Sequence, residues 1–417
     1  MIFSGLSHGP EPNDPEFYRQ RWHMEMARVP AAWAAGHGRG DGVIVAVLDG
    51  GFQMDHPDFD PTRWYKPYDA FRLREGPPVD DGPPPAAAHG SLVAGIIGAE
   101  TNNGIGVAGI ASRVQLMPVK VLRWQSGVYE GTLETVATGV RWAVDNGAHI
   151  ISMSLGLEAH RAGGAAAASL AGELERAYRR GVLVIAAAGN GWSTAPFFPA
   201  CDPHVLAVGA LRPGGAGPER AEYSSYGAGV GLFAPGGDGQ WPVWSTNRTR
   251  GPEQYAGAFG TSMAAPHVAG AAALLRGAGV TDPERMKAAL CLGAARPAHY
   301  DPAVHGPCGF LDVHGALAVA DPPGLEDVRV LIGRQEGGVF RVQGETRAQR
   351  QGGFTLRGVP KGSWDVLAWV PRSGADAVRP GDLLGRARIH VGGSAVGGVR
   401  VALAAVPAGQ EPLRIQR

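Results

Sequence analysis

Phe259-Gly260-Thr261-Ser262-Met263-Ala264-Ala265-Pro266-His267-Val268-Ala269-Gly270 is the stretch whose reading decides the fold. A glycine, two hydroxyl residues and a run of alanines lead into an apolar segment that continues to Leu275. This pattern predicts a long buried helix with Ser262 at its N-terminal end, where unpaired backbone N–H groups and the positive end of the helix dipole favour negative charge. Pro266 fits a helix start, because a proline near the first turn removes little hydrogen bonding. The alanines allow close approach to other backbone. Taken alone, the stretch also fits an alanine-rich core helix with an incidental serine.

Two further segments change that balance. Val43-Ile44-Val45-Ala46-Val47-Leu48-Asp49-Gly50-Gly51 is a β-branched apolar run that predicts a buried parallel strand ending on a carboxylate. His89-Gly90-Ser91-Leu92-Val93-Ala94-Gly95-Ile96-Ile97-Gly98 predicts a helix opened by a histidine, with Leu92, Val93, Ile96 and Ile97 on one face. A nucleophilic serine needs an imidazole to take its proton and a buried carboxylate to fix the imidazole tautomer. Singly, Asp49 reads equally well as a strand-end cap and His89 as a helix-start residue. Together, in the order Asp, His, Ser and each at an element end, they point to nucleophilic catalysis.

The motifs Gly260-Thr261-Ser262-Met263-Ala264-Ala265-Pro266-His267-Val268-Ala269-Gly270 and His89-Gly90-Ser91-Leu92-Val93-Ala94-Gly95 resemble those of subtilisin-like serine peptidases, the subtilases, over roughly residues 12–320. Pro12-Asn13-Asp14-Pro15 resembles the start of the mature catalytic domain of thermitase-like members. The chain departs from the family pattern at Ser91, usually threonine, at Leu92, often histidine, and at Gly50, where a hydroxyl residue usually follows the aspartate. The resemblance implies a serine endopeptidase acting on protein or peptide substrates, with Asp49, His89 and Ser262 as catalytic residues and Asn190 as oxyanion donor. It also implies an extended substrate held along Ser126-Gly127 and Ser154-Leu155-Gly156, and a side-chain pocket walled by Ala186-Ala187-Ala188-Gly189. With no charge in those wall segments, a large apolar or aromatic residue is expected before the scissile bond, and Phe197-Phe198-Pro199 would shorten the pocket. The resemblance further implies a structural Ca2+ held by Asp14, Asp58, Asn103 and the carbonyls of Thr101, Ile105 and Val107, in a loop that by composition alone is a plain turn. His56 is read as a packing residue.

The strands ending near residues 49, 122, 155 and 189 alternate with helical segments near residues 131–146 and 170–178. This predicts an α/β domain with a mostly parallel sheet flanked by helices on both faces, whose ligands bind beyond the carboxyl ends of the strands. Residues 1–11 read as a loose arm, and the proline-rich stretch of residues 60–88 as a surface loop near the cleft. Helices are expected after the Thr281-Asp282-Pro283-Glu284 cap and at 312–319, then a linker at 321–325. Residues 326–417 alternate short apolar runs with glycine-rich turns and predict a small all-β sandwich, weakly resembling carboxypeptidase-regulatory-like or transthyretin-like modules. Within it, 372–382 is read as a plain loop. The binding partner of this region is not identified by the sequence, and a scaffold built on a subtilase fold is the second functional class, disfavoured by the intact Asp49, His89, Asn190 and Ser262.

The 417-residue chain carries 38 basic and 38 acidic side chains, so nothing in its charge points to nucleic acid or an anionic membrane. No apolar run approaches the roughly 20 residues of a membrane span. A soluble monomer is expected. The three cysteines, Cys201, Cys291 and Cys308, form neither a disulfide framework nor a metal motif; Cys291 and Cys308 are placed to pair, and three buried thiols are the equal alternative. The N-terminus as given shows no signal-peptide pattern, and the stretch before Pro12 is too short for a folding propeptide, so the chain is expected either to be the mature portion of a longer precursor or to fold unaided. An extracellular location is expected if a leader precedes this sequence, and a cytoplasmic one otherwise.

Overall fold

The computed structural model describes residues 11–78, 89–215, 217–247, 254–319, 329–336, 339–347, 360–370, 377–378, 383–391, 404–405 and 413–416. The chain divides into two compact units, Met1–Ala320 and Asp321–Arg417.

In the first unit, helices α1 (Phe17–Met26) and α2 (Val29–Ala34) precede strand β1 (Ile44–Asp49). Short strands β2 (Tyr68–Asp69) and β3 (Arg74–Glu75) lead to α3 (His89–Gly98) and β4 (Gln115–Lys120). The hairpin β5 (Arg123–Gln125) and β6 (Val128–Glu130) is followed by α4 (Leu133–Asp145), β7 (Ile150–Met153), α5 (Gly164–Arg179), β8 (Leu183–Ala187), β9 (Val205–Gly214), β10 (Gly217–Arg220) and β11 (Leu232–Pro235). After the hairpin β12 (Val243–Thr246) and β13 (Tyr255–Ala258) come α6 (Thr261–Gly277) and the closing helices α7 (Pro283–Gly293), α8 (Pro302–His305) and α9 (Val313–Ala318).

The main sheet runs β10-β9-β8-β7-β1-β4-β2-β3, with β11 beside β9. From β9 to β2 every neighbour is parallel, and β10 and β3 add antiparallel edges. Alternation along the strands divides the interior in two. Val45 and Val47 of β1 join the core containing α3 and α6, whereas Ala46 and Leu48 join the core containing Val136 and Val140 of α4 and Leu170 and Leu174 of α5. A sheet covered on both faces is the arrangement expected from the sequence. The stretch 60–78 is more ordered than the surface loop expected of it: β2 extends the sheet, and Tyr68 stacks on Trp142 with ring centroids 4.1 Å apart. The rest of that insertion, residues 79–88, lies outside the described residues, as do residues 1–10 of the arm and the linker at 321–325.

α6 is the central helix, and every residue from Met263 to Leu275 is buried. A helix that is apolar all round needs partners on every side. Pro266 stands inside this helix, not in its first turn, and so removes the N–H that would bond the Ser262 carbonyl. Asp282 caps α7 by accepting from the N–H groups of Glu284 and Arg285. Cys291 and Cys308 form a disulfide across the α7–α9 region, leaving Cys201 free.

In the second unit the described strands are β14 (Arg329–Glu336), β15 (Val339–Arg347), β16 (Gly362–Val370), β17 (Ala377–Val378), β18 (Leu383–Val391), β19 (Ala404–Ala405) and β20 (Leu413–Gln416). They form one sheet, β17-β20-β15-β14-β16-β18-β19, antiparallel except between β15 and β20. Leu331, Phe340, Leu367 and Trp369 make its core. The region is all-β as expected, but a second sheet of a sandwich does not occur among the described residues. The expected strands at 353–359 and 399–403, and the loop carboxylates Asp376 and Asp382, lie outside them.

α1 and α6 are joined by two fully buried histidines. His267 Nδ1 lies 2.8 Å from the Met263 carbonyl and must donate to it, so its Nε2 accepts from His23 Nδ1 at 3.0 Å. Burial lowers the pKa of both rings, His267 to about 4. A histidine held neutral stabilises the fold above its unfolded pKa, near 6.5, and that contribution is lost as pH falls toward the folded value. His267→Gln keeps an acceptor for His23 without the titration. In denaturant unfolding on a Ser262→Ala background, which prevents self-cleavage, the parent is expected to lose about 3 kcal/mol relative to the His267→Gln form between pH 6.5 and 4.

Candidate active site

The carboxyl ends of β1, β7 and β8 deliver Asp49, Ser154 and Asn190 to one edge of the sheet, where the N-terminus of α6 arrives from below. Asp49 is completely buried, and both its oxygens lie near His89 Nδ1, at 2.8 and 3.0 Å. Its Oδ1 also accepts from the Gly50 N–H at 2.7 Å, so the backbone supplies a donor where the family hydroxyl is missing. The glycine at position 50 has a second cause: a Cβ built there would lie 2.3 Å from the Tyr129 ring. Gly90 is equally constrained, since its Cβ would meet the Gly51 carbonyl at 2.3 Å. This backbone contact locks the start of α3 against the end of β1 and so holds His89 on Asp49.

Ser262 is held through its main chain. The carbonyl freed by Pro266 accepts from Ser154 Oγ at 2.7 Å, and Ser262 Oγ lies 3.2 Å from the Ser154 carbonyl. Asn190 is oriented by Thr261, whose N–H and hydroxyl both donate to its Oδ1 at 2.9 and 2.8 Å. With its oxygen engaged, the Asn190 amide presents Nδ2 to the cleft. Thr261 Oγ1 in turn accepts from the Gly189 N–H at 3.2 Å, tying helix start to strand end. Met263 N–H turns back to the Gly260 carbonyl, and the Ser262 N–H has no partner among the described residues.

His89, Asn190 and Ser262 line a single cleft of about 890 Å3. The sequence-predicted substrate residues divide between it and elsewhere. Ser154, Leu155 and Gly156 line it, as do Ala187 and Gly189, but Ala186 is buried with Leu170 and Leu174 and Ala188 with Leu211 and Phe233. Within β8 the alternation turns Ala186 away from the face that Ala187 presents, and Ala188 follows the strand's end. Ser126 and Gly127 are also displaced: both have positive φ, 50° and 93°, and form the two-residue turn of the β5–β6 hairpin. The cleft edge on this side is Tyr129–Leu133. Leu122, Leu133, Val136, Leu155 and Leu170 form an apolar recess, and two charged side chains, Glu130 and Arg161, reach the lining. Phe197, Phe198 and Pro199 all reach it too.

The anchoring role of Thr261 was not read from the sequence, although a hydroxyl directly before a candidate nucleophile is its signal. Tyr129 also went unread; nothing in the local pattern ties it to Gly50, 79 residues earlier.

The residues expected to hold Ca2+ come together outside the lining of this cleft. Asp14 accepts from the Asn102 N–H, and Asp58 accepts from the Asn103 amide at 2.9 Å and the Val107 N–H at 2.8 Å. Thr101 and Ile105 belong to the same loop, where Asn102, Gly104 and Gly106 have positive φ. Burial raises both carboxyls, Asp58 to about 7, and neither forms an ion pair with a basic side chain among the described residues. No group of three or more His, Cys, Asp or Glu side chains suited to a metal occurs among the described residues. His56 is buried, with Nε2 on the Gln254 carbonyl at 2.8 Å, and packs between Phe59 and Tyr255.

Comparison with known proteins agrees with this geometry. Residues 40–310 match the model of the subtilase family. Thermitase of Thermoactinomyces vulgaris is 36% identical over 271 residues, covering 64% of this chain and 86% of that protein. Subtilisin Savinase of Lederbergia lenta is 38% identical over 258 residues, covering 61% and 83%. Among solved structures, a protease from Pseudoalteromonas arctica PAMC 21717 superposes with a TM-score of 0.62 at 31% identity, covering 75% of this chain and all of that one. A buried Asp–His pair, a serine clamped at a helix start and an anchored asparagine thus stand within a matched family domain, and the chain belongs to the subtilase family of serine endopeptidases.

Proposed function

We propose that this subtilase hydrolyses protein substrates through an acyl-enzyme on Ser262, with Asp49, His89 and Asn190 in the roles the family resemblance implies. The observation that carries the reading is the Asp49–His89 hydrogen bond at the rim of the cleft that Ser262 lines. Asp49 fixes the tautomer with the proton on Nδ1, leaving Nε2 to accept the Ser262 hydroxyl proton during attack on the scissile carbonyl. The oxyanion that forms takes hydrogen bonds from Asn190 Nδ2 and the Ser262 N–H, in the field of the α6 N-terminus. Collapse expels the amine, protonated by His89, and water then releases the acyl group by the same steps in reverse. Substrate backbone adds as an extended strand between Tyr129–Gly131 and Ser154–Gly156, so main-chain bonds supply much of the affinity. The apolar wall residues favour an uncharged side chain before the scissile bond.

A calcium ion is part of the proposal. Two buried carboxylates that form no ion pair among the described residues, an amide and a loop of carbonyls are a hard-oxygen donor set, and a divalent cation would offset the cost of their burial. Asp14, Asp58, Asn103 and the carbonyls of Thr101, Ile105 and Val107 would hold it. Its part is to brace the loop that follows α3, with no part in the chemistry. The family resemblance also favours a secreted monomer.

Fluorophosphonate labelling and peptide hydrolysis test the mechanism together. Ser262→Ala is expected to abolish labelling and lower kcat by about 10^6, the magnitude established for subtilisins. Thr261→Val removes only the hydroxyl that orients Asn190; kcat is expected to fall about 10-fold with KM unchanged. A change confined to KM would contradict that anchoring role. For the ion, calcium at about 100 times its Kd is expected to add about 3 kcal/mol of stability to the inhibited protein. Asp58→Asn should lose that response. A chelator without effect on the parent's Tm would remove calcium from the proposal.

A further inference from the structure

Asn190 and Ser262 define where the reacting carbonyl lies, and the side chain of the residue bearing it must enter the slot between Ser154–Leu157 and Ala187–Gly191. Both walls are nearly bare, with Gly156 on one and Gly189 and Gly191 on the other. Glycine walls alone suggest room for a large side chain. Phe197 occupies that room.

A Cβ built on Gly189 falls 2.5 to 2.9 Å from three ring atoms of Phe197, one on Gly191 falls 2.9 Å from its ring tip, and one on Gly156 falls 3.3 Å from its Cβ. The ring therefore lies flush on the backbone of one wall while its stem abuts the other. Its backbone is tied to both. Phe197 N–H donates to the Ala188 carbonyl at 2.8 Å, and Phe198 exchanges a pair of hydrogen bonds with Leu157 at 2.8 and 2.9 Å. The segment cannot withdraw without breaking the bridge between Leu157 and Phe198. A substrate ring or long aliphatic chain would have to share space that is already filled, and protein interiors do not tolerate such overlap.

We propose that Phe197 sets the specificity of the site by limiting the residue before the scissile bond to Gly, Ala or Ser, in place of the large aromatic residue expected from the wall composition. The inference rests on the acyl-enzyme assignment above. The glycines of the two walls then serve the enzyme's own phenylalanine and leave no space for the substrate.

The test compares peptide p-nitroanilides identical except for Ala or Phe at the position before the scissile bond, with each enzyme titrated by a fluorophosphonate. The parent is expected to cleave the Ala peptide at least 100-fold faster in kcat/KM than the Phe peptide. Phe197→Ala is expected to invert that order while its titrated active fraction stays near the parent's. Phe197→Leu, which alters less volume, should give an intermediate ratio and guards against a misfolded alanine variant. A parent that prefers the Phe peptide overturns the proposal, as does a ratio unmoved in both folded variants. Absence of both labelling and turnover in the parent would instead strike the acyl-enzyme reading itself.

Discussion

The site depends on what happens to one carbonyl group. Pro266 cannot donate to the Ser262 carbonyl, and a buried orphan acceptor would cost on the order of 1 to 3 kcal/mol. Ser154 Oγ fills the vacancy at 2.7 Å. The helix defect is thereby converted into a tether between α6 and the end of β7, and the tethered residue is the proposed nucleophile. A proline inside a helix buried from Met263 to Leu275 would be hard to explain by stability alone; it frees a backbone acceptor that binds the main chain of Ser262, the proposed nucleophile, to the end of β7.

The second tether works on the neighbouring residue. Thr261 spends its N–H and hydroxyl on the Asn190 oxygen and accepts from Gly189, so that helix start and strand end share three hydrogen bonds. Preorganisation follows. An asparagine whose oxygen is already bonded cannot flip, and its amide protons stay directed as the proposed oxyanion role requires. The same economy holds at Asp49, where the backbone N–H of Gly50 and the ring of His89 satisfy a carboxylate that has no exposure to water. Asp49, Asn190 and Ser262 are each held at least in part by a group from another element, His89, Thr261 and Ser154, so the architecture must be complete before the site exists.

Much of this was legible in the sequence because the strongest signals are periodic. The apolar runs of β1, β4, β7 and β8 and the helical faces of α4 and α5 report a covered parallel sheet, and Asp49, His89 and Ser262 stand at element ends where such sheets place ligands. The errors came where periodicity is silent. Ser126-Gly127 is a turn dipeptide, and its positive φ values take it away from the cleft to the tip of a hairpin. Ala186 and Ala188 look interchangeable with Ala187 and Gly189 in sequence, but the pleat turns Ala186 away from the cleft and Ala188, just beyond the strand, is buried in another cluster. The C-terminal region was readable as all-β, because alternation survives there, whereas the number of its sheets is a matter of long-range pairing that local patterns do not encode.

Glycines were the residues most readily misread. A glycine in sequence suggests a turn or an open space, yet an aromatic ring lies on both Gly50 and Gly189: Tyr129, 79 residues on, covers the first, and Phe197, in the loop that follows β8, covers the second. The two pairs have the same logic. In each, the family-like framework offers an uncovered stretch of backbone beside a catalytic group, and the ring fills it at van der Waals distance, so neither partner can be enlarged without displacing the other. Tyr129 stands beside His89, with ring centroids 6.1 Å apart, and Phe197 stands beside the residue that precedes Asn190. The cleft is therefore shaped from both ends by aromatic side chains whose partners are glycines; Phe197 was expected from the sequence to shorten the pocket, whereas the pairing of Tyr129 with Gly50 was not.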